Sequence, residues 1–322
     1  MRKPGCLILI IGLVAIAAAL FAWRDWRGAG PAARPLSVQI AEGSSLAGAA
    51  TELERAGAIG SARRFRLYAR FLGSGEPIKA GEYGIPAKAS PAEILAMLQG
   101  GKVRQRLVVV PEGYPSVMVG EMLARTDGLA GPVPPIAEGS VLPDGYAFQR
   151  GDTRAALVAR MQKAMRDYLA AAWAKRKSGI VVTSPREAII LASIVEKETG
   201  KPAERTTVAA VYGNRLRVGM PLQADPTVIY PITKGKPLGR RILRSELTAK
   251  NGYNTYAERG LPAGPIANPG RASIDAVLSP AASKALYFVA NGTGGHVFAD
   301  TLEQHNANVK RWYAIRRSRG EM

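Results

Sequence analysis

Residues 184–200 read SPREAIILASIVEKETG, and this stretch decides what kind of domain the chain builds. Ser184 is a favourable helix N-cap, Pro185 suits the first helical position, and Glu187 stands where a capping box places its carboxylate. The residues that follow, AIILASIV at 188–195, leave the helix without a polar face. Because a helix of that kind is surrounded by protein, we expect it to be the central element of a domain.

Two glutamates, Glu196 and Glu198, come directly after the apolar run. At about 100° per residue, side chains two positions apart point about 160° away from each other, so these carboxylates cannot share one face. Both extend from the end of a buried helix, where loss of water contact raises a carboxyl pKa. One such carboxyl beside a cleft suits general acid catalysis. The alternative is a structural role, in which both pair with cations such as Lys197, Lys201 or Arg205.

Beyond Gly219 the sequence is rich in loop-forming residues. Glycine, proline and asparagine recur in LQADPTVIYP at 222–231, NGYNTY at 251–256 and GLPAGPIANPG at 260–270. Loops on a rigid scaffold commonly carry binding and catalytic residues. The pattern therefore predicts an α+β protein whose second part is a mixed α/β domain with a cleft built from loops.

The first part of the chain alternates short strand and helix patterns, and it partly repeats. VQIAEGSSLAGAATELERAG at 38 is echoed by VVVPEGYPSVMVGEMLARTDG at 108, which aligns Glu42-Gly43 with Glu112-Gly113. The echo predicts that a strand, a tight turn and a helix are used twice. The predicted strands lie at 36–40, 81–85 and 104–110, and the predicted helices at 46–56, 62–72, 91–100 and 153–175.

The N-terminus has the pattern of a membrane anchor. Arg2 and Lys3 precede an uncharged apolar run at 7–23, and Arg24 follows at once. The run is near the lower limit of what spans a bilayer as a helix. The competing interpretation is a cleaved signal peptide, since the run contains small residues at 17–19. We expect an uncleaved anchor at 7–23, cytoplasmic residues at 1–6 and a linker at 24–35.

Composition and histidines add few functional constraints. The net charge is +19 over 322 residues, which admits a membrane-tethered nucleic-acid binder, but no groove-reading motif accompanies the charge, and we expect no nucleic-acid partner. His296 and His305, with Asp300 and Glu303 between them, lack the spacing of a helical zinc pair. No glycine-rich phosphate loop is present either, so we expect neither a cofactor nor a metal ion.

Several long blocks resemble one known family. LASIVEKETG, VAAVYGNRLRVGMPLQADPTVIY, YNTY, GLPAGPIANPG and LYFVANGTGGHVFADTLEQHN follow one another between residues 189 and 309. Together they resemble the endolytic murein transglycosylase family, also called YceG-like or MltG. The resemblance implies a single-pass inner-membrane protein with its N-terminus in the cytoplasm and its catalytic domain in the periplasm. It also implies a LysM-like subdomain at 36–105 and a transglycosylase domain at 106–322.

The resemblance implies a lyase reaction and a catalytic residue. The family cleaves the β-1,4 bond between N-acetylmuramic acid and N-acetylglucosamine in nascent strands, leaves 1,6-anhydro ends and so terminates strand elongation. The first glutamate of its IVEKE block is taken as the acid, which is Glu196 here, and one carboxyl suffices for this chemistry. Its partners would be glycan strands, the inner membrane and cell-wall synthases. The alternative function is a wall-binding anchor protein without catalysis. The candidate sugar-binding residues, each of which also suits turn capping, are Gln223, Asp225, Asn254, Tyr256 and Asn214.

Overall fold

The computed structural model describes residues 4–321, with side chains from Leu9 onward, so Arg2 and Lys3 lie outside the described residues. Its helices are α1 (Pro4–Arg27), α2 (Leu46–Arg55), α3 (Ala62–Leu72), α4 (Pro91–Gly100), α5 (Ser116–Arg125), α6 (Arg154–Ala174), α7 (Pro185–Glu198), α8 (Arg205–Arg217), α9 (Asp225–Thr233), α10 (Arg244–Thr248), α11 (Arg271–Leu278) and α12 (Leu302–Ser318). Its strands are β1 (Leu36–Ile40), β2 (Gly81–Ile85), β3 (Arg106–Val109), β4 (Gly145–Phe148), β5 (Tyr287–Ala290) and β6 (His296–Ala299).

The chain divides into two compact units. The first comprises the residues up to Arg106 together with Ala147–Gly151, and the second comprises Leu107–Tyr146 and the residues from Asp152 onward. Helices and strands occur in both parts of the chain. The strands pair as β1–β2, β3–β4 and β5–β6, each pair forming a separate two-stranded sheet. The structure therefore confirms a mixed helix and strand fold, in which the sheets are small and helices predominate.

The first unit packs helices against the two-stranded sheet formed by β1 and β2. β1 and β2 are antiparallel, with Leu36 opposite Ile85 and Ile40 opposite Gly81. Val38 and Ile40 alternate with exposed neighbours and lie in the core, as period-two patterning requires. The helices α2, α3 and α4 begin at serine N-caps whose hydroxyls accept a hydrogen bond from a backbone amide in the first turn, namely at Ser45, Ser61 and Ser90.

The segment predicted as a linker at 24–35 differs in the structure. α1 continues to Arg27, and Trp26 is buried in the core of the first unit. Ala32 is buried as well. The physical reason is that Trp26 finds aromatic partners in α3, and their burial removes apolar surface from water. The end of α1 is therefore part of the folded first unit.

The second unit is built around α7, as the sequence predicts. All residues from 188 to 195 are buried, and α6, α8, α9 and α11 pack against the helix. The hydroxyl of Ser184 caps the helix by accepting from the Glu187 amide at 3.2 Å. The antiparallel pair β5–β6 lies against α12. The apolar run thus forms the centre of the unit and fixes where its C-terminal end emerges.

The predicted repeat of strand, turn and helix is confirmed. In the first copy β1 leads through Gly43 to α2, and in the second β3 leads through Gly113 to α5. Gly43 has a φ of 73° and Gly113 a φ of 72°, a left-handed conformation that favours glycine. The same turn therefore follows the first strand of each unit.

One helix of the described residues is long and apolar enough to cross a membrane. This stretch of α1, Leu9–Arg27, has a mean hydropathy of 1.7, and 6% of it is buried. A signal sequence near the N-terminus would meet the same criterion. The length and composition of this helix therefore agree with the predicted anchor, and they do not assign the protein to a membrane.

Candidate active site

The end of α7 places Glu196 against a cation and a backbone amide. Its side chain is 5% exposed, and its Oε1 lies 3.5 Å from Nη2 of Arg205, the first residue of α8. The amide of Gly270 donates to Oε2 at 2.9 Å. Both neighbours are donors, and neither offers an acceptor for a carboxyl proton. The geometry therefore suits a carboxylate that accepts hydrogen bonds.

A second carboxylate shares the same guanidinium. Oε2 of Glu112 lies 3.5 Å from Nη2 of Arg205, and the Glu112 side chain is 46% exposed. Gly270 leaves room for it, because a Cβ on that residue would lie 2.0 Å from Oε1 of Glu112. Glu112 and Glu196 are thus held close to one another by the charge between them.

The loop that carries Gly270 is held by Asn268. This asparagine is fully buried, and its backbone carbonyl accepts from the Gly113 amide at 2.9 Å. Its side-chain amide donates to the carbonyl of Tyr114 at 2.9 Å, and its Oδ1 accepts from the Val141 amide at 3.1 Å. The glutamate-glycine turn and the Gly270 loop are therefore fixed to each other beside Glu196.

Glu198 lies in different surroundings, as the helix geometry requires. Its Oε1 is buried and has no hydrogen-bond partner among residues 4–321. Burial raises the pKa of Glu198 to about 7 against an opposing hydrogen bond from Tyr212, and the nearby charge of Asp225 raises it further. A raised carboxyl pKa at the end of α7 is therefore found at Glu198, because burial disfavours the charged form.

Two further α8 side chains surround Glu198. Tyr212 is almost wholly buried, and burial together with the Glu198 charge raises the pKa of its hydroxyl well above the ordinary value. Arg215 is 8% exposed and donates from Nε to the Leu286 carbonyl at 2.6 Å and from Nη1 to the Leu222 carbonyl at 2.6 Å. The positive charge of Arg215 lowers the pKa of both Glu198 and Tyr212 and so opposes the effect of burial.

The loops after α8 bring three of the predicted sugar-binding residues together. The hydroxyl of Tyr256 donates to Oδ1 of Asp225 at 2.6 Å, and the amide of Gln223 donates to the Thr255 carbonyl at 3.1 Å. Gln223 is exposed and has a left-handed φ of 51°, a conformation that costs energy for a residue with a side chain. The blocks LQADPT and YNTY thus form one structure near Glu198.

The other two candidates, Asn254 and Asn214, have structural contacts. Asn254 is fully buried, and its Nδ2 donates to the carbonyls of Glu246, Leu247 and Ala249 at the end of α10. Nδ2 of Asn214 donates to the carbonyls of Ser283 and Ala285. The Asn254 contacts are those of a residue that caps a nearby turn, whereas the Asn214 contacts join α8 to the segment before β5. Neither amide contacts Glu196 or Glu198.

The two histidines lie in separate surroundings. Nδ1 of His296 is 2.8 Å from Oε2 of Glu204, whereas the ring of His305 stacks on Tyr287 at 5.1 Å. Burial lowers the pKa of His305. Across the described part of the chain, no three side chains of histidine, cysteine, aspartate or glutamate form a cluster suited to a metal ion.

Sequence reasoning missed several residues around the two glutamates. Arg205 was considered only as a structural partner, and Glu112 only as part of the repeated turn. Tyr212 and Arg215 stand in the VYGNRLR block, where nothing in the local pattern separates them from ordinary helix residues. Their roles depend on which segments meet in space, and the spacing of residues along one helix does not contain that information.

The profile of the YceG-like family matches residues 38–311 of the chain. The chain belongs to the YceG-like family. The match includes the end of α7, the loops after α8 and both copies of the glutamate-glycine turn.

Curated relatives of this YceG-like chain have a common name. The endolytic murein transglycosylase of Bacillus subtilis is 37% identical over 176 residues, which cover 54% of this chain and 48% of the relative. The endolytic murein transglycosylase of Streptococcus pneumoniae is 28% identical over 323 aligned positions, which cover 85% of this chain and 58% of the relative. The chain thus spans about half the length of the curated relatives it matches.

A solved structure also resembles this YceG-like chain. The crystal structure of a YceG-like protein from Listeria monocytogenes aligns with a TM-score of 0.51 at 28% sequence identity. The alignment covers 85% of this chain and 98% of the other.

Proposed function

We propose that the chain is an endolytic lytic transglycosylase of peptidoglycan. It cleaves the β-1,4 bond between N-acetylmuramic acid and N-acetylglucosamine in nascent strands and leaves 1,6-anhydro ends that terminate elongation. Membership of the YceG-like family and the names of two curated relatives support this reaction. The observation that carries it is the carboxyl of Glu198 at the end of α7, whose Oε1 is buried without a hydrogen-bond partner among residues 4–321 and whose pKa is raised by that burial.

In the proposed reaction one carboxyl acts first as acid and then as base. Glu198 donates its proton to the glycosidic oxygen, the bond from that oxygen to C1 of the muramic acid breaks, and the glucosamine leaves with a free 4-hydroxyl. The resulting carboxylate takes the proton of the muramic acid 6-hydroxyl, whose oxygen then bonds to C1. The proton lost in the first step is regained in the second, and no water is consumed.

The surroundings of Glu198 support a reaction that uses one carboxyl as acid and then as base. A glycosidase that uses water needs two carboxyls about 5 to 9.5 Å apart. Asp225 is a candidate for a second, since its charge raises the pKa of Glu198, but its Oδ1 already accepts from Tyr256 at 2.6 Å. We assign Asp225 to stabilising positive charge as it develops at C1. Gln223 and Tyr256 would contact the sugar, whereas Asn254 and Asn214 would shape the loops.

The geometry favours Glu198 over Glu196 as the acid, although the family resemblance predicts Glu196. Glu196 is paired with Arg205 and the Gly270 amide, and these contacts suit a residue that holds the two loops in place. The assignment of Glu196 stays a prediction, and the two glutamates can be separated by experiment.

The test compares Glu196→Gln and Glu198→Gln, each serving as the matched control for the other. Purified full-length protein is incubated with glycan strands, and anhydro-ended products are measured by mass spectrometry. We expect Glu198→Gln to lose activity by about 10²-fold or more and Glu196→Gln to stay within about tenfold of wild type. The reverse order would assign the acid to Glu196. If the wild type binds strands and yields no anhydro ends, the alternative of a non-catalytic wall-binding anchor is correct.

We also propose that α1 anchors the protein in the inner membrane, with the N-terminus in the cytoplasm and both units in the periplasm. The candidate membrane-spanning stretch Leu9–Arg27 supports an anchor. The first unit would then be the LysM-like subdomain, and action on nascent strands would bring the enzyme beside cell-wall synthases. A reporter fused to the C-terminus that is active only in the cytoplasm should give no signal. A signal there would contradict the orientation.

A further inference from the structure

We propose that α3 binds the surface of an anionic lipid bilayer through a row of arginines beside a row of apolar side chains. The proposal rests on the anchoring role of α1. It concerns the first unit only and adds a second membrane contact to it.

The outward face of α3 carries two large apolar side chains that are exposed. Phe71 is 73% exposed and Leu67 is 53% exposed. They are one turn apart and so lie next to each other on the helix. The opposite face carries Phe65 and Ala69, which are buried in the core of the first unit. The exposed pair is therefore not needed for packing within this unit.

Three arginines lie beside this apolar row. Arg63, Arg66 and Arg70 are exposed and follow one another at helical spacing, and none of them pairs with a carboxylate among residues 4–321. They line a groove of about 1110 Å³ that also contains Ser44 and one acidic residue, Glu76. Guanidinium groups bind phosphate oxygens in a bidentate manner, and arginine can extend its charge to headgroups while its stem covers apolar surface.

The position of α3 relative to α1 is fixed by direct contacts. The ring of Trp26 lies 5.8 Å from the ring of Phe65 and 6.0 Å from that of Tyr68. Asp25 forms an ion pair with Arg64 at 3.3 Å. These α1 residues come directly after the apolar run that would span the membrane, where interfacial residues occur. Because Trp26 packs on α3, the helix is held within reach of the lipid headgroups.

Charge identifies the occupant of this face. Each basic residue near an anionic lipid surface raises the binding affinity roughly fivefold. Amphipathic helices with arginine on one side and phenylalanine and leucine on the other bind such surfaces. Acidic groups of the wall peptides are the competing occupant of the groove, but they do not account for the exposed Phe71 and Leu67. The apolar row favours lipid.

The test places a polarity-sensitive fluorophore on α3 in the full-length protein. Cys6 is the only cysteine, so Cys6→Ser provides a background for Phe71→Cys, labelled with nitrobenzoxadiazole. Gln39→Cys is the control, because Gln39 is exposed on β1 and alternates with the core residues Val38 and Ile40. Each protein is reconstituted in nanodiscs of phosphatidylcholine alone or with phosphatidylglycerol, and quenching by brominated lipid is measured.

We expect a blue-shifted emission and strong quenching at position 71 in the anionic discs, and neither at position 39. Replacing Arg63, Arg66 and Arg70 by glutamine should weaken the bound state on the order of 100-fold and return position 71 to the spectrum in water. Equal, water-like spectra at both positions in anionic discs would overturn the proposal. Protection of position 71 only after muropeptides are added would assign the groove to wall peptides instead.

The nanodisc preparation also distinguishes failure of the α3 inference from failure of the proposed anchor and of the proposed enzymatic activity. If the protein does not float with the discs, α1 is no anchor and the inference about α3 falls with it. Release of anhydro ends by that preparation would show that the enzymatic proposal still stands. If the protein floats with the discs and releases anhydro ends, but the label at position 71 keeps its spectrum in water, only the inference about α3 is overturned.

Discussion

Two glutamates separated by one residue on α7 have different chemistry because of what surrounds them. Glu196 meets the Arg205 cation and the Gly270 amide, whereas Glu198 has a buried oxygen without a partner in the described chain. The same residue type thus accepts hydrogen bonds in one case, and in the other its pKa is raised by burial. Helix geometry predicts their separation, but only the three-dimensional neighbours distinguish their roles.

The pKa of Glu198 predicts the pH dependence of glycan cleavage. Only the protonated carboxyl can donate, so kcat/KM should be constant below pH 7 and fall about tenfold per pH unit above it. The base in the second step is formed by the first, so Glu198 adds no loss of activity at low pH. The profile is measured as product release between pH 5 and 9, with Glu196→Gln as the control that keeps the same midpoint. A midpoint near pH 4.5 would contradict the assignment.

The close approach of Gly270 to Glu112 predicts a coupling between them. Gly270→Ala should push the Glu112 carboxyl away from Arg205, because the added methyl group would overlap it. Glu112→Ala should therefore cost about 0.5–1 kcal/mol of unfolding free energy in the wild type and almost nothing in the Gly270→Ala background. Denaturant unfolding of the four proteins measures this.

The control for this comparison of single and double variants is Gly84→Ala, since nothing lies within 4 Å of a Cβ at Gly84. Its effect should add to that of Glu112→Ala. Additive effects of Gly270→Ala and Glu112→Ala would mean that the two residues are not in contact.

At the scale of helices and strands, the sequence predicts most of the first unit. The strand at 36–40 and the helix at 62–72 coincide with β1 and α3, because alternation, a serine N-cap and a terminal glycine are all local signals. The strand at 104–110 is shorter in the structure, as β3 covers Arg106–Val109. Strand ends depend on pairing with another segment, and local patterns do not specify that pairing.

The burial of Trp26, within the segment predicted as a linker, could not be predicted from the sequence for a related reason. Trp26 follows Arg24 and Asp25, and this setting is typical of the membrane interface. Its burial depends on Phe65 and Tyr68, which are far away in sequence. A tryptophan in a charged segment therefore gives no local sign that it will enter a core.

The burial of Trp26 predicts its contribution to stability. Trp26→Ala should lower the unfolding free energy of the first unit by about 3–5 kcal/mol, because a large buried ring leaves a cavity. Trp23→Ala is the matched control, since Trp23 is 53% exposed and its loss should change stability by less than about 0.5 kcal/mol. Hydrogen exchange of the β1 and β2 amides in detergent measures both. Equal exchange in the two variants would show that Trp26 does not belong to the core.

At the scale of the whole molecule, the sequence predicts the organisation better than the site. The mixed fold, the central α7 and the membership of the YceG-like family all follow from long patterns that involve many residues. The site depends on a few contacts between distant segments, such as Arg205 with Glu112 and Tyr256 with Asp225. Many weak local signals together make a prediction of the fold reliable. A contact between two distant residues depends on one pair, and no other signal in the sequence supports its prediction.

The burial of Trp26 also affects how the first unit moves. A domain on a loose tether can swing through a volume that grows with tether length. Here the last turn of α1 belongs to the folded core, so little slack remains between helix and domain. If α1 spans the bilayer, the first unit tilts and rotates only as α1 does, and it travels by lateral diffusion in the lipid. Its encounter rate with a fixed target would then rise with membrane fluidity.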